Sequence, residues 1–409
     1  MKRRDFIRHA GLLAAAGLLP IGRHAWAARD DSGARARLVV IFLRGAVDGL
    51  NVVVPYGESD YYGYRPTIAI PPPGQSGGAL DLDGRFGLHP ALQTLSPLWK
   101  EKSLAFVHAC GLPDPSRSHF EAQAYMESGM SGMRTADGWM NRLLAVLPGR
   151  LSPTEAVSFG AALPHIFDGG AAVANMPVGR NATRPIPMDR PVIEAAFDRL
   201  YDGSDPLSRA YREGQTARRR LLTDLRRETL SADNGAPPPQ GFSEDTLRLA
   251  RMVAADPSIR LAFFSLGGWD THVNEGASEG QLAGHLRALG AGLITLAQGL
   301  GKHYAETVVL VISEFGRTAH ENGNGGTDHG HGNALWVLGG AVRGGKVHGE
   351  WPGLAPEQLY QARDLAITTD FRTAVDRVLA QHLRLDADQR RHVIPDFTPP
   401  KNGLEGLLI

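Results

Sequence analysis

The feature that most constrains the fold is a set of short, almost unbroken apolar runs spread along the chain. A strand buried on both faces of a parallel sheet has this pattern, whereas a strand with one face in water alternates apolar and polar residues. Helical spacing occurs between the runs, so the sequence predicts an α/β protein with a mostly parallel sheet. The runs are residues 38–43, 104–110, 261–266, 308–312 and 334–338.

Residues 139–256 do not follow this pattern. They combine loops, a charged helical run and a Gly-Ala-Pro-Pro-Pro breaker at residues 235–239. We expect a helical insertion on the core here, in the position of a lid.

Charge and cysteine content exclude some classes of protein. The chain has 43 basic and 43 acidic residues, so no global field draws it to nucleic acid or to anionic membranes. Cys110 is the single cysteine, so it cannot form an internal disulfide, and its apolar surroundings predict a small buried side chain.

The first 27 residues predict an export signal. Arg3 and Arg4 precede Asp-Phe-Ile, a short apolar run follows at residues 11–19, and Ala-Trp-Ala at residues 25–27 fits a cleavage site. The apolar run is too short to span a bilayer. We therefore expect passage through the twin-arginine export machinery, a periplasmic location, no membrane span in the mature chain and one domain over residues 28–409.

Polar residues follow four of the apolar runs directly. Parallel strands end at one edge of a sheet, so these side chains are expected to converge on one crevice. They are Asp48, Ser116 or Ser118, Asp270 with His272, and Glu314.

Two of the loops carry residue types that hold metals. Asp270 and His272 are two positions apart, so in extended backbone their side chains face the same side. Asp328, His329 and His331 lie within four residues of one another in a glycine-rich loop. Together they predict a divalent metal, and the histidines favour zinc or manganese over calcium.

Two of these positions also have a purely structural interpretation. Asp48 lies between glycines and fits an Asp-Gly turn. Ser118, with Glu121 three residues later, fits a capping box, although a hydroxyl at a helix N-terminus also suits a nucleophile that meets an anion.

Five ordered motifs over nearly the whole mature chain resemble the bacterial domain-of-unknown-function 1501 family, which is grouped with the alkaline phosphatase and sulfatase superfamily. The motifs are RRDF, FLRGAVDGLN, PSRSHFEAQ, GGWDTH and SEFGRT followed by NGGTDHGHGN. The resemblance implies a three-layer α/β/α sandwich of the alkaline phosphatase type with a two-metal site at the sheet edge.

Carried over to this chain, the resemblance implies metal-ligand roles for several residues. Asp48 matches the aspartate of one metal, and Asp270 with His272 matches the pair on the other. Glu314 matches a further ligand position, and either His329 or His331 matches the late histidine.

The resemblance also identifies departures from the superfamily. Phe315 stands where phosphatases have a histidine ligand, and Pro113 stands where sulfatases have their nucleophile. The candidate catalytic residues are therefore Ser118 or Ser116, with Arg117 between them. The expected function is exported, metal-dependent hydrolysis of phosphate or sulfate esters on small molecules or anionic polymers. The alternative is a non-catalytic periplasmic binding or assembly protein.

Overall fold

A computed structural model describes residues 36–148, 154–160, 162–178, 191–212, 241–401 and 403–409. The predicted export signal lies outside these residues. The strands are β1 (Arg37–Leu43), β2 (Val53–Val54), β3 (Leu80–Asp81), β4 (Gly87–Leu88), β5 (Leu104–Gly111), β6 (Ala156–Phe159), β7 (Ala174–Met176), β8 (Leu261–Leu266), β9 (Thr307–Ser313), β10 (Asn333–Gly339), β11 (Lys346–His348) and β12 (Thr369–Asp370).

Helices of several lengths connect the strands, and none of those described is long and apolar enough to cross a membrane. The α-helices are α1 (Gly49–Val52), α2 (Ser59–Tyr64), α3 (Ser96–Lys100), α4 (His119–Ser128), α5 (Trp139–Val146), α6 (Pro191–Leu200), α7 (Phe242–Ala255), α8 (Gln281–Leu300), α9 (Phe371–Arg377) and α10 (Ala387–Val393). Shorter 3₁₀ segments span Pro90–Leu95, His165–Phe167 and Gly301–Glu306, and a π turn spans Val378–His382.

The main sheet has the strand order β11-β5-β10-β9-β1-β8-β6-β7, and β12 also pairs with β5. Within the described sheet, β10 is antiparallel to its neighbours β5 and β9, and the other pairings are parallel. The five apolar runs form β5, β10, β9, β1 and β8, which are adjacent. Strands β2, β4 and β3 form a small separate sheet.

The sheet lies between two apolar layers. In β1, Val39 and Ile41 pack into the cluster that contains α7 and α8, while Val40 and Phe42 pack into the cluster that contains α5, α9 and α10. Successive residues of a strand point to opposite faces, so β1 is buried on both sides. The predicted α/β fold, with a mostly parallel sheet between helical layers, is confirmed.

The strands that precede the candidate site residues end together. Leu43 at the end of β1 is in register with Leu266 in β8 and with Ser313 in β9. Strand β5 runs the same way, since both β5 and β9 are antiparallel to β10. The expected convergence of strand ends at one edge is therefore present.

The helical insertion expected over residues 139–256 needs correction. Strands β6 and β7 fall inside this range and extend the main sheet beyond β8. They are short, four and three residues, so they lack the long apolar run that marks the central strands. Residues 179–190 and 213–240, which include most of the predicted charged run, lie outside the described residues.

Candidate metal centre

Four loops meet at this edge of the sheet, after β1, β5, β8 and β9. Gly45 lets two of them touch, because it has a φ of +114° and a Cβ there would lie 2.7 Å from the backbone N of Asp270. Its own N–H donates to Glu314 Oε1 at 2.8 Å. The loop after β1 therefore contacts the loop after β8 and the end of β9.

Arg317, which is fully buried, fastens three of these loops together. Its guanidinium donates to the carbonyl oxygens of Ala46 at 2.6 Å, Trp269 at 3.0 Å and Thr327 at 3.1 Å. Its Nη2 also donates to Asp270 Oδ1 at 2.6 Å. Because arginine holds its donors in a rigid plane, this side chain sets the positions of the loops relative to one another.

A cluster of imidazole and carboxylate groups lies where the loops meet. His119, Asp270 and His329 each offer a ligand atom, and these atoms all lie within 4.8 Å of one another. His329 Nε2 is 2.9 Å from His119 Nε2 and 3.0 Å from His272 Nε2. Asp270 Oδ1 is 3.5 Å from His119 Nε2, 3.3 Å from His329 Nε2 and 3.0 Å from His272 Nε2.

Each of the three imidazoles is held by an oxygen behind it. Nδ1 of His119 lies 2.7 Å from Glu314 Oε1, and Nδ1 of His272 lies 3.1 Å from Asp328 Oδ1. Nδ1 of His329 lies 2.9 Å from the carbonyl oxygen of Arg117. Carbonyl and carboxylate oxygens only accept, so each Nδ1 carries a proton, and each Nε2 is the nitrogen that could present a lone pair to a metal ion in the cluster.

Two Nε2 atoms at 2.9 or 3.0 Å need either a proton or a metal ion between them. A tetrahedral zinc ion with Zn–N bonds near 2.05 Å separates its nitrogen ligands by about 3.3 Å, within a few tenths of an ångström of the observed spacing. The side chains are also open to solvent, with Asp270 46% and His119 26% exposed. The donor set therefore fits a divalent transition-metal ion that a substrate can approach.

The charges around the cluster favour ionised carboxylates. Burial alone would raise the pKa of Glu314, but hydrogen bonds from His119 and Gln123 outweigh it and hold that pKa below its usual value. The bond to Glu314 raises the pKa of His119. Burial, with the nearby His119, lowers the pKa of His329. In the absence of a metal ion, the proton between these two rings would thus reside on His119 Nε2 and point at the lone pair of His329 Nε2.

Phe315 forms an apolar wall beside the cluster. Its ring centroid lies 4.9 Å from that of His119 and 5.2 Å from that of His329. It packs with Ala46 and Ala122 in a small buried group. Phe315, which stands where the resemblance places a ligand histidine, therefore restricts the rotation of the His119 and His329 rings.

The structure brings together some of the residues predicted as ligands and places others behind them. Asp270, His272 and His329 lie in the cluster. Glu314 and Asp328 do not join it, because their oxygens accept the Nδ1 protons of His119 and His272. They orient ligands, a role that tunes metal sites.

Asp48 and His331 lie outside the cluster. Asp48, expected from the resemblance to hold one of two metals, is fully buried and its two carboxylate oxygens accept from Arg65. The ring of His331 stacks on Tyr360 with centroids 4.2 Å apart, and burial lowers its pKa.

The candidate catalytic residues on the β5–α4 loop serve the start of the helix. Ser118 is its N-cap and accepts from Glu121 N at 3.5 Å, while Ser116 Oγ donates to Glu121 Oε2 at 2.7 Å. Arg117 forms a salt bridge with the buried Asp364 at 2.7 Å. The expected helix start at Ser118 is confirmed.

His119, Arg317, Gln123 and Arg65 were not selected from the sequence. His119 carried the same signal as the chosen residues, since it follows the second apolar run and a capping serine. The other three have no local signal, because their partners are distant in sequence: Gln123 donates to Glu314 at 2.8 Å across a separation of 191 residues.

Fold and site together define an α/β protein with a histidine and aspartate cluster of metal-ligand type at the carboxyl edge of its sheet. The sequence profile of the family described as "Protein of unknown function (DUF1501)" matches residues 35–397. The chain belongs to this family, as its motifs predicted. None of the curated proteins matches the chain in sequence.

Several solved structures are similar to the chain at low identity. Ps i-CgsB, in complex with k-i-k-neocarrahexaose, aligns with 87% of this chain and 73% of its own at 11% identity, with a TM-score of 0.36. An alkaline phosphatase superfamily protein from Vibrio parahaemolyticus aligns over 77% and 62% at 11% identity, with a TM-score of 0.33. PsFucS1 sulfatase from Pseudoalteromonas sp. aligns over 78% and 66% at 14% identity, with a TM-score of 0.32. The chain thus spans less than two thirds of the length of the last two, and at this similarity none of their activities transfers to it.

Proposed function

We propose that the protein is an exported, metal-dependent hydrolase of phosphate or sulfate esters. The observation that carries the proposal is the convergence of three Nε2 atoms and Asp270 Oδ1, with every Nδ1 bonded to an oxygen. Hydrogen-bonded imidazoles with this outer support are typical of metal ligands. His119, Asp270 and His329 would hold the ion, with His272 beside them.

The proposed ion is zinc or manganese. Imidazole nitrogen suits these metals, while calcium prefers a shell of oxygen ligands. When bound, the ion would supply a Lewis acid that polarises an ester oxygen and lowers the pKa of water. Three protein ligands with solvent access leave a position for substrate, as catalytic zinc sites require.

The proposed substrate is an anion with a tetrahedral head, either a small ester or a group on a polymer. Arg117 and Arg363 flank His329, and their side chains are 30% and 39% exposed. Arg363 Nη2 donates to the carbonyl oxygen of His329 at 2.8 Å. The two guanidinium groups lie 2.7 Å and 3.7 Å from the buried carboxylate of Asp364, so together the three groups carry one positive charge in excess. Guanidinium groups recognise phosphate and sulfate oxygens, and this excess supports an anionic substrate.

Residues around the cluster would fix the orientation of the metal ligands, and one serine beside it could take part in the reaction. Glu314 and Asp328 hold the imidazoles of His119 and His272 in the tautomer that presents Nε2, and the ring of Phe315 covers one side of the cluster. Ser118 is exposed at the N-terminus of α4 and is the freer of the two serine hydroxyls, because Ser116 is bonded to Glu121. Ser118 is therefore the serine to test for a covalent step.

A non-catalytic periplasmic binding or assembly protein is the second candidate. The observation that favours it is that both serine hydroxyls serve the first turn of α4. The two functions predict the same metal and differ in turnover.

The test is hydrolysis of a panel of aryl phosphates and aryl sulfates by the purified protein loaded with zinc or manganese. We expect turnover that disappears in Asp270→Asn and His329→Ala and persists in His392→Ala, a matched change at an exposed histidine of α10. Bound metal with no turnover on any ester would favour the binding protein. Equal turnover in His329→Ala and His392→Ala would refute the assignment of the site.

We also propose export through the twin-arginine route. The support is the order of features in residues 1–27, where paired arginines, a short apolar run and a small-residue cleavage site follow one another.

A further inference from the structure

The resemblance implies two metals, with Asp48 as a ligand of one of them, and the surroundings of Asp48 do not fit that role. Asp48 and Arg65 are both completely buried, and both carboxylate oxygens of Asp48 accept from the guanidinium. A metal ligand needs an oxygen lone pair aimed at an open position. Here the paired guanidinium takes that position.

Arg65 is itself fully committed. Besides its bonds to Asp48, it donates to Asn51 Oδ1 at 2.8 Å and to the carbonyl oxygens of Thr318 at 2.8 Å and Ala319 at 2.9 Å. These contacts use all five of its N–H groups. The side chain therefore has no donor left for a substrate and no partner it can release without cost.

Glu275 completes this buried network. Its Oε2 accepts from Thr271 Oγ1 at 3.0 Å and from Thr327 Oγ1 at 2.8 Å. Burial, and then the charge of Asp48, raise the pKa of Glu275. Asp48 and Arg65 already balance one carboxylate against one guanidinium.

We propose that the protein binds a single metal ion, in the His119, Asp270 and His329 cluster, and that Arg65 permanently supplies the positive charge at Asp48. The inference rests on the proposed function, because it concerns the metal content of that site. The network also has a positioning role. Arg65 holds the loop after β9, and Glu275 joins Thr271 to Thr327, which lie within two residues of Asp270 and His329 on two loops. Arg65 thus takes the place of a second metal ion, because its guanidinium neutralises Asp48 and its hydrogen bonds hold the loops in position.

The experiment is metal counting on the full-length protein after chelation and reloading with Zn²⁺, followed by the absorption spectrum of the Co²⁺ form. We expect one equivalent of tightly bound metal in the unaltered protein. The double variant Asp48→Asn/Arg65→Met removes both charges of the buried pair together, and we expect it to keep one equivalent, with a smaller change in the Co²⁺ spectrum than a substitution at a ligand gives. Asp270→Asn is the matched change at a proposed ligand, so it should alter the spectrum and weaken metal affinity by more than the about 10- to 100-fold that loss of an outer hydrogen-bond partner costs.

Two equivalents of metal in the unaltered protein would overturn the inference and leave the proposed function intact. Loss of metal in the double variant, as large as that in Asp270→Asn, would also overturn it. One equivalent of metal without ester hydrolysis would refute the proposed function while the inference stands. The count on the unaltered protein decides between one and two ions even where a variant does not fold.

Discussion

The buried Asp48–Arg65 pair gives the sharpest test of how this structure is stabilised. Arg65→Met keeps an apolar side chain of similar length but leaves the Asp48 carboxylate without its counterion. It also removes the donors to Asn51 Oδ1 and to the carbonyl oxygens of Thr318 and Ala319. Asp48→Asn has the converse effect, because it leaves the Arg65 guanidinium charged and unpaired in the interior.

The magnitude follows from burial. Breaking a buried ion pair by removing one partner costs about 3–5 kcal/mol, since the remaining charge has neither water nor a counterion. We expect Arg65→Met at the upper end of this range, because unpaired buried acceptors add to the cost, and Asp48→Asn at the lower end, because the amide oxygen still accepts. The double variant leaves no isolated charge, so its loss should fall short of the sum by about 2–3 kcal/mol.

The assay is urea unfolding of the three variants at neutral pH, followed by the fluorescence of the buried Trp139 and Trp336. The free energy of unfolding is extrapolated to water, and the coupling energy is obtained from the double-mutant cycle. Arg287→Met is the matched control, because its ion pair with Glu279 is on the surface and should cost no more than about 1 kcal/mol. Losses below 1 kcal/mol for both single variants, or strictly additive losses, would refute the reasoning, because they would mean that the pair is solvated.

Three further predictions concern the site and the export signal. Glu314→Gln should weaken metal affinity about 10- to 100-fold by loosening the orientation of His119, and unchanged affinity in a metal titration would contradict the outer-support role. The raised pKa of Glu275 contributes stability that is fully present below its ordinary value of 4.5 and is lost as pH rises through its value in the folded protein. The lowered pKa of Asp48 contributes stability that is present above 3.8 and is lost only as pH falls below that value. Glu275→Gln cannot ionise, so the free energy of unfolding measured from pH 4 upward should no longer show this decline, and an identical pH profile would contradict the raised pKa of Glu275. Replacing Arg3 and Arg4 by lysine should leave a folded reporter fused to residues 1–27 in the cytoplasm, and normal export of that reporter would exclude the twin-arginine route.

The location of the site was predictable because it follows from strand direction. A strand ends where its apolar run ends, and parallel strands share an edge, so Asp270, His272 and His329 were expected together and are found together. The same reasoning selected Asp48 and Glu314, which lie at the same edge of the sheet in other roles. Position at a strand end thus identifies the crevice without assigning a function to each side chain in it.

What the sequence by itself determined is the set of central strands, their common carboxyl edge, the helix start at Ser118 and the family. These follow from local apolar pattern, capping chemistry and motif order. Only the tertiary structure decided which acidic groups contact the cluster, which orient its imidazoles and which are neutralised elsewhere. The physical reason is that the partner of each carboxylate is distant in sequence: His119 lies 195 residues from Glu314 and Arg65 lies 17 residues from Asp48. A carboxylate's role is set by the nearest charge in space, which folding brings to it.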